Sequence, residues 1–308
     1  MGLLVDGEWR DDWYDTKDTG GRFVRPATSF REQVELEPGR YRLYVSLACP
    51  WAHRTLVVRA LKGLEQVVPV SIVDPFMGER GWAFSSHPGS IPDPVHGARY
   101  LYEIYLRADP RYTGRVTVPV LYDTRRDTIV NNESAEILRI LDRAAAPLAT
   151  RDLPTLYPEP LRTEIDALNA RVYDTVNNGV YKAGFATSQS AYEEAARALF
   201  ATLDALEARL EARRFLFGEA LTEADVRLFT TLVRFDAVYH GHFKCNLRRL
   251  TEYTRLWRFT RDVYRLPGVA QTVDFDHIKQ HYYRSHPTIN PTRIVPIGPA
   301  IDWSLAPS

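Results

Sequence analysis

The stretch from Tyr41 to about residue 74 constrains the fold more than any other part of the chain. YRLYVSL is a short run of β-forming residues, Cys49-Pro50 follows it closely, and WAHRTLVVRALKGL carries apolar residues at helical spacing. QVVPVSIVD then has the length and composition of a buried strand. A strand, a helix and a strand in this order predict a parallel pair joined by a right-handed crossover. We therefore expect an α/β sheet.

Three later patterns extend this sheet. VTVPVLYD and DTIV flank a short polar stretch and predict a hairpin, while LYEIYLRAD and NNESAEILRILDRA predict helices, the second with asparagine caps. Between residues 78 and 97 the chain is rich in Gly and Pro, which indicates a loop, a lid or a rim. The predicted order is β-α-β-α-β-β-α.

Beyond residue 150 the apolar spacing is helical. RTEIDALNARVYDTVNNGVY, SAYEEAARALFATLDALEARLEARRFL and TEADVRLFTTLVRFDAVYH predict an all-helical second domain. The Pro-rich tail from about His281 is not expected to be regular throughout. We predict an N-terminal extension over residues 1–40, an α/β domain over 41–150, and a helical domain with a C-terminal tail over 151–308.

Charge and hydropathy limit the classes of molecule that the protein is expected to bind. Lys plus Arg and Asp plus Glu each total 39, so no net field attracts nucleic acid or an anionic membrane. The chain has no 18-residue apolar run, and MGLLVDGEWR lacks the apolar core of a signal peptide. These features predict a cytoplasmic protein that acts on small molecules and binds neither nucleic acid nor membrane.

Cys49 is the principal candidate for chemistry. It lies where the first predicted strand meets its helix, and Pro50 suits the first helical position, so helix N–H groups and the helix dipole favour a thiolate there. Ala52 stands where a C-x-x-C motif would have its second cysteine, so an external thiol must resolve a mixed disulfide. His53 and Arg54 are potential sources of further positive charge. The structural alternative is a buried, unreactive cysteine.

Other candidates have ordinary structural alternatives. Pro119 fits a trans proline at a sheet edge better than a cis one. Glu133 and Ser134 begin a helix, where they would bind a ligand's charged ends or simply cap the helix. Thr222 and Asp225 form the pattern of a capping box.

Histidines near the second cysteine suggest metal ligands only weakly. His240-x-His242-x-x-Cys245 and the pair His277 and His281 each lack a complete ligand set in a recognised spacing. We therefore predict no metal site.

Longer segments resemble a known family. They are SLACPWAHRTL, the Gly81-Trp82 pair, LYEIYLRADPRYTGRVTVPVLYD, IVNNESAEI, NNGVYKAGFATSQSAYE, RFDAVYHGHFKCN and HIKQHYYRSHPTINPTRIVPIGP. Together they span nearly the whole chain and resemble the glutathionyl-hydroquinone reductases, the Xi class of the glutathione transferases.

The resemblance implies a fold and a reaction. The fold would be an α/β N-terminal thioredoxin-like domain that binds glutathione plus an all-α C-terminal domain that binds substrate, in a homodimer, with Pro119 in the cis form. Cys49 would attack the sulfur of a glutathionylated hydroquinone, release the hydroquinone and form a Cys49–glutathione disulfide, which a second glutathione would reduce. Glutathione would be the co-substrate, with no metal.

The resemblance also implies site residues. Arg115 would suit a carboxylate of glutathione and Glu133 its amino group. The positions that match the family's glutathione site are Trp82, Arg115, Val118, Pro119, Glu133 and Ser134. Beside the catalytic Cys49, the tyrosines that match those around the aromatic substrate are Tyr181, Tyr239 and Tyr282. Cys245 has no implied role.

Three alternatives stay open. A conventional transferase would conjugate glutathione to electrophiles, but it uses a Ser or Tyr hydroxyl where this chain has Cys49. A glutaredoxin-like thiol transferase would use the same cysteine on mixed disulfides. A ligand-binding protein would keep only the fold. Because 34 of the 39 basic residues are arginine, as in GC-rich genomes, the native thiol is another open question.

Overall fold

The chain forms two compact units, and each is assembled from separated segments. The computed structural model describes residues 2–144 and 147–303. The first unit contains Pro26–Leu153, Gln271–Val295 and the N-terminal residues up to Trp13. The second contains Tyr14–Arg25, Pro154–Ala270 and the residues that follow from Pro296.

A mixed four-stranded sheet is the centre of the first unit. Its strands are β3 (Tyr41–Val45), β4 (Val70–Ile72), β6 (Val120–Asp123) and β7 (Thr128–Asn131), in the order β4-β3-β6-β7. Leu43 pairs with Val70 in the parallel register of β3 and β4, while β6 is antiparallel to both β3 and β7. The predicted parallel pair and hairpin are confirmed.

Helices connect these strands. They are α1 (Pro50–Leu61), α2 (Leu101–Ala108) and α3 (Ser134–Asp142). α1 packs against α3 and is buried on nearly every side. A helix in this position can be apolar around most of its circumference, which explains why its sequence shows little amphipathic contrast.

The N-terminal segment contains strands that the sequence reasoning did not predict. β1 (Leu3–Val5) pairs with β2 (Glu8–Arg10) and with β5 (Gly114–Arg115) in a second, three-stranded sheet. Asp6 and Gly7 form the turn between β1 and β2 with φ values of 50° and 82°. Positive φ at both central residues is typical of the tightest hairpin turns.

The helix α9 (Phe275–Ser285) belongs to the first unit. The ring Nε2 of His277 contacts the Pro88 carbonyl at 2.6 Å, and Nδ1 of His281 contacts the Pro75 carbonyl at 3.0 Å. Since a carbonyl only accepts, each of these ring nitrogens carries the proton. Regular structure continues one turn beyond His281 before the irregular tail begins, and residues 304–308 lie outside the described chain.

Helices build the second unit. They are α4 (Arg162–Val172), α5 (Gly179–Gly184), α6 (Gln189–Arg209), α7 (Glu223–Leu232) and α8 (Thr254–Tyr264). Two five-residue π-helical segments, Tyr173–Asn177 and Phe235–Tyr239, follow α4 and α7. α8 was not predicted. No helix within residues 2–144 and 147–303 is long and apolar enough to span a membrane.

Candidate active site

Cys49 occupies the N-cap of α1, directly after the turn that follows β3. Its backbone is extended, with φ −78° and ψ 120°, and Pro50 takes the first helical position as predicted. Cys49 is partly exposed. A helix N-terminus presents unsatisfied N–H groups and a positive dipole end, which favour a thiolate.

Val118 and Pro119 lie beside this cysteine. The Sγ of Cys49 is 3.7 Å from the Val118 carbonyl oxygen, and the peptide bond between Val118 and Pro119 is cis. The expectation of a trans proline, drawn from the residues alone, is therefore wrong, and the cis form implied by the resemblance is confirmed. The thiol thus lies next to main-chain groups just before β6.

Glu133 and Ser134 begin α3, as expected, but the cap is glutamate rather than asparagine. Oε1 of Glu133 accepts a hydrogen bond from the Ala135 N–H at 3.1 Å, and Oε2 accepts one from Thr28 Oγ1 at 3.2 Å. The side chain therefore stabilises the helix start. Its carboxylate also lies at the same helix end as the Ser134 hydroxyl.

Arg54 joins the two helix starts, and the sequence reasoning gave it only a general charge. Nη1 of Arg54 donates to Ser134 Oγ at 3.3 Å, and its guanidinium stacks 4.4 Å from the ring centre of Trp51. The side chain is only 2% exposed. His53 points elsewhere, with Nε2 at 2.8 Å from Thr272 Oγ1. The sequence signal for this contact is an arginine at the fifth position of α1, one turn after Cys49.

His281 links two predicted site residues. The Trp82 ring stacks on it with centroids 4.8 Å apart, and Tyr282 contacts it edge-on at 5.2 Å. Tyr282 also packs edge-on against His286 at 5.6 Å and is 1% exposed. Trp82 and Tyr282 are thus held in the first unit by a shared histidine that the site prediction did not include.

Arg115 hydrogen-bonds to the N-terminal segment. Its guanidinium donates to the carbonyl oxygen of Asp12, and Nη2 donates to that of Trp13 at 3.0 Å. The structure therefore places this arginine on main-chain carbonyls. A ligand carboxylate would have to share it or displace those contacts.

Tyr181 and Tyr239 belong to the second unit, where they form part of an aromatic cluster. Their ring centroids are 6.1 Å apart, and the Phe243 ring packs 5.5 Å from Tyr181 and 5.6 Å from Tyr239. The guanidinium of Arg25 lies 5.0 Å from the Tyr181 ring centre. The cluster holds both phenols in fixed positions.

Two residues of the histidine–cysteine motif, His242 and Cys245, are buried. Burial lowers the pKa of His242 to about 4, with help from the charge of Lys244, and its ring stacks on Phe243. Burial also raises the pKa of the Cys245 thiol well above its usual range. Among the residues that the structure describes, no three His, Cys, Asp or Glu side chains form a group that could hold a metal ion.

Comparison with known proteins matches both parts of the chain. The family model described as "Glutathione S-transferase, N-terminal domain" matches residues 48–144, and "Glutathione S-transferase, C-terminal domain" matches residues 189–262. The expected fold class, a thioredoxin-like α/β domain followed by a helical domain, is confirmed.

Two curated relatives match over nearly their whole length. Glutathionyl-hydroquinone reductase PcpF of Sphingobium chlorophenolicum is 56% identical, with 97% of each chain covered. Glutathionyl-hydroquinone reductase YqjG of Escherichia coli (strain K12) is 55% identical, covering 97% of this chain and 95% of the relative.

Solved structures agree with these relatives. An Xi-class transferase from Natrialba magadii superposes with a TM-score of 0.95 at 50% identity, covering 100% of this chain and 97% of that one. The glutathione-bound structure of YqjG gives a TM-score of 0.89 at 52% identity, covering 99% and 98%. The chain therefore belongs to the glutathionyl-hydroquinone reductases, the Xi class of the glutathione transferases.

Proposed function

We propose that this enzyme reductively removes glutathione from glutathionylated hydroquinones, with Cys49 as the nucleophile. The observation that carries the proposal is the position of Cys49, a partly exposed residue at the N-cap of α1 whose Sγ lies 3.7 Å from the Val118 carbonyl oxygen. Two relatives at 56% and 55% identity carry the name glutathionyl-hydroquinone reductase.

In the first half-reaction the Cys49 thiolate attacks the sulfur of the substrate. A sulfur–sulfur bond forms and the carbon–sulfur bond breaks, so its electron pair remains on the ring carbon. That carbon takes up a proton and leaves as the hydroquinone. The enzyme then carries a Cys49–glutathione disulfide, and the positive end of α1 favours the thiolate that begins the step.

In the second half-reaction a thiolate of free glutathione attacks the mixed disulfide. Glutathione disulfide leaves and the Cys49 thiolate is restored, so the net reaction consumes one glutathione and one adduct. Ala52 occupies the place of a second cysteine one turn into α1. The resolving thiol must therefore come from solution, and another low-molecular-weight thiol would meet the same chemical requirement.

The glutathione site in this proposal surrounds Cys49 in the first unit. Val118 offers main-chain groups to the peptide, while Glu133 and Ser134 at the start of α3 meet the γ-glutamyl end. Arg54 would add positive charge there through its contact with Ser134. The remaining members of the proposed site are Trp82, Arg115 and Pro119.

Tyr181, Tyr239 and Tyr282 are proposed to act on the aromatic substrate. Their phenols would hydrogen-bond the ring oxygens and favour the keto tautomer, in which the carbon–sulfur bond is weaker. The packing of Phe243 on Tyr181 and Tyr239, and of His281 on Tyr282, would hold these groups ready before substrate binds. A homodimer and a cytoplasmic location complete the proposal.

The decisive experiment separates the two half-reactions. Wild-type protein is mixed with a glutathionyl-hydroquinone without free thiol, and its intact mass and the released hydroquinone are measured. We expect one glutathione on Cys49 and one equivalent of hydroquinone. Cys49→Ser should give neither, whereas Cys245→Ser, at the deeply buried second cysteine, should behave like wild type. Folded wild-type protein that forms no adduct and releases no hydroquinone would refute the proposal.

A glutaredoxin-like activity is the second candidate, because Cys49 is a monothiol at a helix start. It would reduce small or protein mixed disulfides by the same cycle. Comparing kcat/KM for a glutathionyl-hydroquinone and for a glutathione mixed disulfide distinguishes the two activities. A conjugating transferase would instead keep activity in Cys49→Ser, and a binding protein would turn over neither substrate.

A further inference from the structure

The first unit contains a cavity of about 610 Å³ that the proposed reaction does not use. It lies between the segment around residues 74–83 and the end of α9 with the chain that follows. Ligand pockets of small-molecule size have volumes of this order. The residues that give it chemical character are Phe76, Arg80, Tyr100, Arg284 and Arg293.

Two arginines converge on one ring of this cavity. The guanidinium carbons of Arg284 and Arg293 lie 5.1 Å and 5.6 Å from the centre of Phe76. Arg293 has a φ of 56°, a conformation that costs energy for a residue other than glycine. Nη1 of Arg284 also donates to Gln280 Oε1 at 3.1 Å, and an anion between the two guanidinium groups would offset the repulsion of their like charges.

Arg80 adds a third cation to the lining of the cavity. Its guanidinium lies 5.4 Å from the ring centre of Tyr100, which itself stacks on Tyr102. Within residues 2–144 and 147–303, no carboxylate lies within ion-pair distance of Arg80, Arg284 or Arg293. Three guanidinium groups, each beside an aromatic face, are suited to carboxylate or phosphate oxygens.

Three acidic residues, Asp11, Asp74 and Glu79, also line the cavity, and the carboxylate of Asp74 is already engaged. The Asp74 carboxylate accepts hydrogen bonds from the Phe76 N–H at 2.7 Å and from the Ser85 hydroxyl. Glu79 is exposed, and its carboxylate would weaken the attraction for an anion. Removing the charge of Glu79 should therefore raise the affinity of the cavity for an anion.

Trp82 does not line the cavity, although both of its neighbours in sequence do. Gly81 and Ala83 line it, while the ring of Trp82 stacks on His281 instead. Cys49, Val118, Glu133 and Ser134 are also absent from its lining. A ligand in the cavity would therefore leave Cys49 and these three residues uncovered.

We propose that this cavity binds a small organic or inorganic polyanion through the guanidinium groups of Arg284, Arg293 and Arg80. The shared chemistry is an oxyanion of charge two or more, supplied by carboxylates or by phosphates. Phe76 and Tyr100 hold the arginine planes and cover the apolar part of the ligand. The site is independent of Cys49.

Isothermal titration calorimetry of the full chain tests the proposal with citrate and pyrophosphate as separate probes. We expect saturable binding of at least one of them to wild type, and the tighter one identifies the source of the oxyanions. Arg284→Gln/Arg293→Gln should weaken it at least about tenfold. The control Arg171→Gln/Arg213→Gln, which removes two exposed arginines elsewhere, should stay within about twofold of wild type. Glu79→Gln should tighten binding.

The absence of saturable binding of either probe to wild type would overturn the proposal. An equal loss of affinity in both arginine pairs would also overturn it. A titration in saturating glutathione adds a further check, since the affinity for the probe should not change. Competition with glutathione would place the probe in the Cys49 site and would also contradict the inference.

Discussion

Phe243 packs directly on the bare α-carbon of Gly184, and no methyl group fits between them. The same ring contacts Tyr181 and Tyr239. We expect Gly184→Ala to displace Phe243 and to lower the free energy of unfolding by about 1–3 kcal/mol, the usual cost of overpacking. Turnover of a glutathionyl-hydroquinone should fall with it. Thermal unfolding and steady-state kinetics measure both effects.

Gly179 in the same helix provides the matched control. A Cβ there would have no neighbour closer than 3.8 Å, and the backbone is helical. Alanine favours a helix over glycine by up to about 1 kcal/mol, so Gly179→Ala should leave stability unchanged or raise it. If both variants lose stability equally, the steric account of Gly184 is wrong.

His242 predicts a pH dependence of stability. Its pKa in the folded protein is about 4, against 6.5 for an ordinary histidine, because burial disfavours the charged ring. The unfolded chain therefore takes up the proton first, so this stabilisation is complete above pH 6.5 and is lost as the pH falls towards 4. The loss is about 3 kcal/mol in total. Denaturant unfolding of wild type and His242→Gln measures this loss. The free energy of unfolding of the wild type should fall between pH 6.5 and pH 4, while that of the variant should lack this fall.

A substitution of Lys244 should change the pKa of His242 in a known direction. Lys244 carries a charge that contributes to the lowered pKa of His242. Its φ of 59° favours asparagine as the replacement. Lys244→Asn should raise the pKa of His242 and narrow the pH range over which stability is lost. An unchanged profile would show that burial alone sets this pKa.

Asp225 forms the predicted capping box at the start of α7, where its carboxylate accepts three hydrogen bonds. The donors are the Leu216 N–H at 2.8 Å, the Thr222 N–H at 2.7 Å and the Thr222 hydroxyl at 2.8 Å. Asp225→Ala would leave these buried donors unpaired and should cost about 3–5 kcal/mol. Thr222→Val removes only the hydroxyl donor and should cost about 1 kcal/mol. Urea unfolding provides both values.

The pH dependence at Asp225 has the opposite sign to that at His242. Burial raises the pKa of Asp225 from 3.8 to about 6. The contribution of the raised pKa of Asp225 to the free energy of unfolding is therefore complete below pH 3.8. It is lost as the pH rises through 6. The stability difference between wild type and Asp225→Ala should shrink by about 2 kcal/mol between pH 4 and pH 7. A difference that grows with pH would contradict the raised pKa.

Local patterns were enough to predict the unit around Cys49. β3 and β4 are apolar runs and α1 begins at Pro50, so each signal lies within one turn or one strand. In the second unit, the capping box of Thr222 and Asp225 at the start of α7 is an equally local signal. The Asp6-Gly7 turn was also present in the sequence. Its flanking strands have only three residues each, too short for a periodic pattern to show.

Local sequence patterns do not predict contacts between segments that are distant in the sequence. Arg54 and Ser134 meet although eighty positions separate them, and the local contact of Arg54 with Trp51 does not indicate this pairing. The ring of His281 stacks on Trp82 from a helix at the other end of the chain. The fold brings such residues together through tertiary packing, which periodicity and propensity do not encode.

Arg25 is expected to stabilise the aromatic cluster of the second unit. Its Nε donates to Asn178 Oδ1 at 2.8 Å while its guanidinium lies over the rings of Tyr181 and Phe23. Arg25→Met loses the hydrogen bond and the cation–π contacts and should cost about 1–3 kcal/mol. Arg25→Lys keeps the charge without the planar fork, so it should recover only part of that loss. Thermal unfolding ranks the three proteins, and a lysine variant no more stable than the methionine variant would show that the charge contributes nothing.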